Sequence, residues 1–154
     1  MRIQMNLFDF EGVYPGLVEV YDIYDDILLQ KGSVAKAESY YEDALALATA
    51  SFGENHPSTA EAYNSLGEYS LYCADYREAI GEFEAAIEIR KNILGYQNAR
   101  TARYLYNLAA AQRACGEQQE AMEPVSEAKQ LCTALSISGE TGVLVDKLYG
   151  ELAG

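Results

Sequence analysis

Catalysis and metal binding need particular side chains brought together, and this chain offers few of them. Its only histidine is His56, so neither a His–His metal pair nor a Ser-His-Asp relay can be assembled from this chain alone. His56 stands directly before Pro57, a setting that suits a structural loop better than a general base. The three cysteines, Cys73, Cys115 and Cys132, form no CxxC pair and are odd in number. That excludes a disulfide framework and suits a reducing compartment. Cys73 and Cys115 are read as small apolar packing residues. Neighbouring carboxylates such as Asp25-Asp26, or Glu82 with Glu84, look like acid–base pairs. With 24 acidic residues such pairs arise freely, and a solvated face accounts for them. There is no GxxxxGK[ST], no GxGxxG after a strand and no HExxH. No catalytic residue, metal ligand or cofactor is assigned, and the chain is not expected to be an enzyme.

Charge narrows the partners. Twenty-four acidic residues against 11 basic ones give a net charge of −13, which repels nucleic-acid backbones and anionic membrane surfaces alike. It favours basic or neutral partners. The start, MRIQMNLFDFEG, lacks the continuous apolar stretch of a secretory leader. No apolar run reaches the ~20 residues of a membrane span. A cytoplasmic protein is expected.

The elements that would position any binding groups are helices in a repeat. A shift of 42 residues lays Phe52-Gly53 on Leu94-Gly95, Thr59-Ala60 on Thr101-Ala102 and Leu66 on Leu108. The same shift joins Gly32, Ala74 and Gly116, then Ala37, Ala79 and Ala121, and sets Tyr41 on Phe83. Within the second unit Tyr76, Ala79, Ile80, Phe83, Ala86 and Ile87 follow helical i, i+3, i+4, i+7 spacing and make one apolar stripe. Ala60, Tyr63, Leu66, Tyr69 and Ser70 make a shorter stripe upstream. Only Cys73-Ala74-Asp75 separates the two, so the helices must lie antiparallel. Gly53 and Gly95 suit helix C-caps, Pro15 and Pro57 suit helix starts, and Ser58 and Thr59 are candidate N-caps.

Helices are thus expected near Leu17–Lys31, Val34–Ser51, Ser58–Cys73, Tyr76–Leu94, Ala99–Cys115, Glu117–Leu135 and Glu140–Leu152. The chain reads as one domain. Residues 1–16 are a partial preceding repeat or N-terminal cap; 17–56, 57–98 and 99–138 are three repeats; 139–154 is a C-terminal capping helix. Ile3, Met5, Leu7, Phe8, Phe10, Val13 and Tyr14 at the start need covering, by the repeats or by another chain.

The second unit, from Ser51 to Gly95, resembles a tetratricopeptide repeat, in the 42-residue variety of kinesin light chains. Leu66-Gly67, Tyr76, Ala79, Phe83 and Ala86 stand at that family's packing positions, and Gly53 and His56-Pro57 match its inter-repeat loop. The third unit keeps Leu108-Ala109, Gly116, Ala121 and Ala128 but has Asn98-Ala99 for His-Pro; the first has Tyr24-Asp25 for Leu-Gly. The resemblance spans residues 12–135 or so. It implies an all-α, right-handed superhelix of antiparallel helix pairs, about three repeats plus a capping helix, whose first helices line a concave side. That side would receive an extended or helical peptide, making the chain a protein-binding scaffold.

With the Tyr63/Leu66/Ser70 stripe taken by packing, the concave positions of unit two are expected to be Glu61, Asn64, Ser65, Glu68 and Leu71. Unit one would offer Glu19, Asp22, Asp26 and Leu29, and unit three Arg103, Tyr106, Asn107, Ala110 and Arg113. The expected ligand lays a basic segment over units one and two and a carboxylate near Arg103 and Arg113, with Asn64, Tyr106 and Asn107 bonding its backbone. The acidic residues of units one and two argue against the family's carboxylate-clamp subset. Two other roles stay open: a self-associating module, dimeric through the N-terminal segment, and a sensor or regulatory domain of a larger bacterial protein.

Overall fold

The computed structural model describes residues 34–154 apart from 94, and among them every regular element is an α-helix. In chain order these are α1 (Val34–Phe52), α2 (Pro57–Tyr72), α3 (Tyr76–Asn92), α4 (Ala99–Cys115), α5 (Gln118–Ala134) and α6 (Glu140–Ala153). The helix expected over Leu17–Lys31 lies outside the described residues.

Local chemistry explains where each helix stops. Gly53 and Gly116 close α1 and α4 in the left-handed region, at φ 84° and 91°. Gly95 does not cap α3 as expected: that helix ends on the extended Ile93, at φ −119°, and Gly95, at φ 94°, turns the loop beyond it. After α2 it is Ala74 that takes the left-handed place, at φ 63°. Its neighbours bond as those of Gly116 do: Asp75 N–H donates to Ser70 O at 2.9 Å, and Glu117 N–H donates to Gln112 O at 2.8 Å. Helix starts correct one expectation. The N-cap of α2 is neither Ser58 nor Thr59 but His56, whose Nδ1 accepts the Ser58 N–H at 3.0 Å. A period later Asn98 caps α4 by accepting the Thr101 N–H at 3.0 Å. Two different side chains thus supply one acceptor at one place in the repeat. The His56 ring also stacks on Phe52, centroids 4.3 Å apart.

Each helix packs on the next, and the first helices of successive units also meet, α2 on α4 and α4 on α6. That pattern is a stack of antiparallel pairs whose core runs through the array. Alanines hold the tightest crossings, with Ala37, Ala79 and Ala121, and likewise Ala44, Ala86 and Ala128, all 0% exposed. A methyl is small enough to let helix axes approach, and larger neighbours fill the remaining space. Phe83, Val125 and Val145 are fully buried there. Each such side chain stabilises the fold by about 1.5–3 kcal/mol.

Gly67 shows how close the fit is. A Cβ on it would stand 2.6 Å from Cε1 of Phe83. One period on, the pair is Ala109 and Val125, both 0% exposed. The larger ring in unit two needs the glycine; the smaller valine in unit three leaves room for a methyl.

The pair α2 and α3 also shares a polar tie. Ser70 on α2 donates its hydroxyl to Glu82 Oε2 on α3 at 2.7 Å. Burial, seconded by Glu78 and Asp75 and opposed by this hydrogen bond, pushes the Glu82 carboxyl up to about 7.

Candidate binding surface

The first helices of successive units, α2, α4 and α6, lie side by side and carry the expected site. Glu19, Asp22 and Asp26, with the apolar segment 1–16, fall outside the described residues. The remaining residues divide into two groups.

Between α2 and α4 the polar residues hold the helices to each other. Glu61 takes a salt bridge from Arg100 at 2.7 Å and a hydrogen bond from the Tyr104 hydroxyl. Burial and the neighbouring Glu61 carboxylate push the Tyr104 phenol far above its ordinary range, so it remains a donor. The Arg90 guanidinium lies over the Tyr104 ring, 5.8 Å from its centroid. Further along, Asn107 Nδ2 donates to Asn64 Oδ1 at 2.9 Å and to Glu68 Oε1 at 3.1 Å.

These contacts correct the expected exposure of Asn64 and Asn107. They are only 4% and 5% exposed, and Ser65 is 7% exposed. The two amides meet across the helix pair, 43 residues apart in sequence, where Asn107 supplies the donor that the Asn64 carbonyl oxygen accepts. Leu71 is half-buried and packs on the main core. The sequence pattern marks these positions as off the apolar stripe; it does not show that a neighbouring helix covers them.

Between α4 and α6 the surface opens into a groove of about 510 Å³. Tyr106, Ala110 and Arg113 of α4 form one wall, and Leu144, Lys147 and Leu148 of α6 form the other. Arg113 and Lys147 are exposed and Tyr106 is half-buried. Glu151 pairs with Arg113 at the end of the groove. Arg103 is half-buried, and its Nε is buried with no hydrogen-bond partner. Of the expected site residues, Tyr106 and Arg113 therefore meet in one groove, while Glu61, Asn64, Glu68 and Asn107 form an interhelix clasp.

The sequence reading missed Lys147 and Leu144, because α6 departs from the repeat and was assigned only a capping role. Their spacing was the available signal: Leu144, Lys147, Leu148 and Glu151 recur at i, i+3, i+4, i+7, one face of a helix. Among the described residues no group of three or more His, Cys, Asp or Glu side chains is placed to hold a metal ion. No described helix is long and apolar enough to cross a membrane.

Comparison with known proteins places this architecture. The tetratricopeptide repeat family model matches residues 26–80. A clustered mitochondria protein homolog from Aspergillus niger is 29% identical over 80 residues, which are 52% of this chain and 6% of that protein. The chain thus corresponds to a small part of the length of that relative. Among solved structures, the nearly identical TPR-like repeats of a Podosopora anserina protein described as a kinesin light chain superpose with a TM-score of 0.81. The identity is 18%, covering 92% of this chain and 67% of the other. The TPR2B domain of yeast Sti1, in its pHsp70 complex, superposes with a TM-score of 0.66 at 19% identity, covering 88% and 95%.

Proposed function

Because this chain carries tetratricopeptide repeats of the 42-residue, kinesin-light-chain-like kind, we propose that it is a non-catalytic scaffold that binds a protein segment across its first helices. The observation that carries the reading is the α4–α6 groove, where two cations, Arg113 and Lys147, flank apolar walls and the Tyr106 ring. A concave, partly apolar surface with a few polar groups suits a peptide. The TPR2B domain of Sti1, of similar fold, is seen in a complex with pHsp70.

In this reading an acidic side chain or terminal carboxylate of the ligand displaces Glu151 from Arg113 and meets Lys147. Arg103, half-buried on the same helix, is the other cation of the expected carboxylate end. Guanidinium groups suit this role because they hold carboxylates through two parallel bonds. The basic part of the ligand would lie towards the acidic N-terminal end, where Glu68 sits. Affinity capture from source-cell lysate, comparing wild type with Arg103→Glu/Arg113→Glu, tests the reading. Partners depleted more than tenfold on the variant are expected. The same partners captured equally by both proteins would overturn it.

A further inference from the structure

The second helices frame a different groove, of about 750 Å³, on the other side of α4. Its walls are α3 and α5, and its floor is Ile87 with Leu105 and Leu108. Glu84, Glu88, Glu120, Glu123 and Glu127 line it against a single cation, Lys91. Acidic residues on helices are common here, and alone they would mean only a solvated face. The second observation is Gln112. It is 9% exposed, lines this groove, and its Oε1 is buried with no hydrogen-bond partner.

The repeat explains the orphan. Gln112 stands one period after Ser70, and Pro124 one period after Glu82. In unit two those places are joined by the Ser70–Glu82 hydrogen bond. In unit three the partner is a proline, which offers a side chain neither donor nor acceptor. Pro124 lies inside α5 and also lines the groove. Lacking an N–H, it deprives the Glu120 carbonyl of its helical donor as well. The glutamine oxygen, that carbonyl and the carboxylates are all acceptors. A buried acceptor left unmet is costly, and such groups are rare in folded proteins.

We propose that this groove docks an arginine side chain presented by a segment of a partner protein. A guanidinium carries five donors in one plane, enough for Gln112 Oε1 and a carboxylate together. It is more weakly hydrated than an ammonium, so it loses less on leaving water for an apolar floor. The excess of glutamates supplies the complementary charge. This surface is separate from the α4–α6 groove, because Leu105, Leu108 and Gln112 lie on a different face of α4 from Tyr106, Ala110 and Arg113.

Fluorescence anisotropy with a labelled peptide of alternating leucine and arginine tests the assignment, with citrulline in place of arginine as the neutral control. Saturable binding is expected, weakened at least tenfold by citrulline and by Gln112→Leu. Glu88 and Glu123 are exposed, so Glu88→Lys/Glu123→Lys probes the groove without touching the core and should cost at least tenfold too. Arg113→Glu, in the other groove, should leave the affinity within twofold. No saturable binding, equal binding of the citrulline peptide, or full affinity in the lysine double variant would overturn the proposal. Complete competition by equimolar spermine or arginine amide would put a free cation there instead of a protein segment. Self-association abolished by the same double variant would put a second copy there. Either result also overturns the assignment.

Discussion

Replacing Gly67 by alanine should destabilise the protein, although alanine is the better helix former. The added Cβ would lie 2.6, 2.7 and 3.0 Å from Cε1, Cδ1 and Cζ of Phe83. Unbonded carbons rest at about 3.5–4.0 Å, so the overlap is roughly 1 Å. Phe83 is 0% exposed, so its ring has no solvent to swing into. Overpacking of this kind costs about 1–3 kcal/mol. Against it stands at most about 1 kcal/mol from removing a glycine within a helix. The net expectation is a loss of about 1–2 kcal/mol. Unit three suggests the rescue, since it pairs Ala109 with Val125 where unit two pairs Gly67 with Phe83. Phe83→Val alone leaves a cavity and should cost about 2–4 kcal/mol. In Gly67→Ala/Phe83→Val the new methyl enters the vacated space. The double variant should therefore be at least as stable as Phe83→Val, a favourable coupling of about 1–3 kcal/mol. Urea unfolding of the four proteins, followed by helical circular dichroism and compared at a common m-value, reads this directly. Strictly additive effects, or a Gly67→Ala protein as stable as wild type, would refute the close-approach account.

Two further outcomes follow from single contacts. Glu82 holds its proton up to about 7 in the folded state against about 4.5 when exposed. The folded chain therefore binds more protons than the unfolded one in that window, and stability should fall as pH rises from about 4.5 to about 7. Glu82→Gln should remove this part of the slope and exceed wild type in urea midpoint at about pH 8; an unchanged slope would count against the assignment. At the start of α2, His56→Ala loses both the cap to Ser58 and the stack on Phe52, and should cost about 1–2 kcal/mol. His56→Asn restores the acceptor that Asn98 supplies in the next unit, so thermal melts should place it between wild type and alanine. Equal melting of the two variants would show that the ring contact, not the cap, sets the stability.

Helices, their turns and their register could be read from the chain because each depends on residues close together in it. Apolar side chains at helical spacing, glycines where φ must be positive, and a histidine or asparagine before the first turn act over a few residues. The recurrence at 42 then shows that one unit has been stacked on another. Residue types off the apolar stripe carry no such information about their surroundings. Asn64 and Asn107 read as groove residues, yet α2 and α4 approach closely enough to bury both and pair them. Lys147 and Leu144 read as part of a cap, yet α6 brings them to Arg113 and Tyr106. Gln112 and Pro124 look unremarkable in sequence, yet α4 and α5 bring both to one groove, where the glutamine oxygen has no donor. Local periodicity therefore determined the fold and its alanine-lined core. Which polar groups are used up by the stack and which are left for a partner was decided by contacts between helices, across separations of 12 to 43 residues, where short-range spacing has no reach.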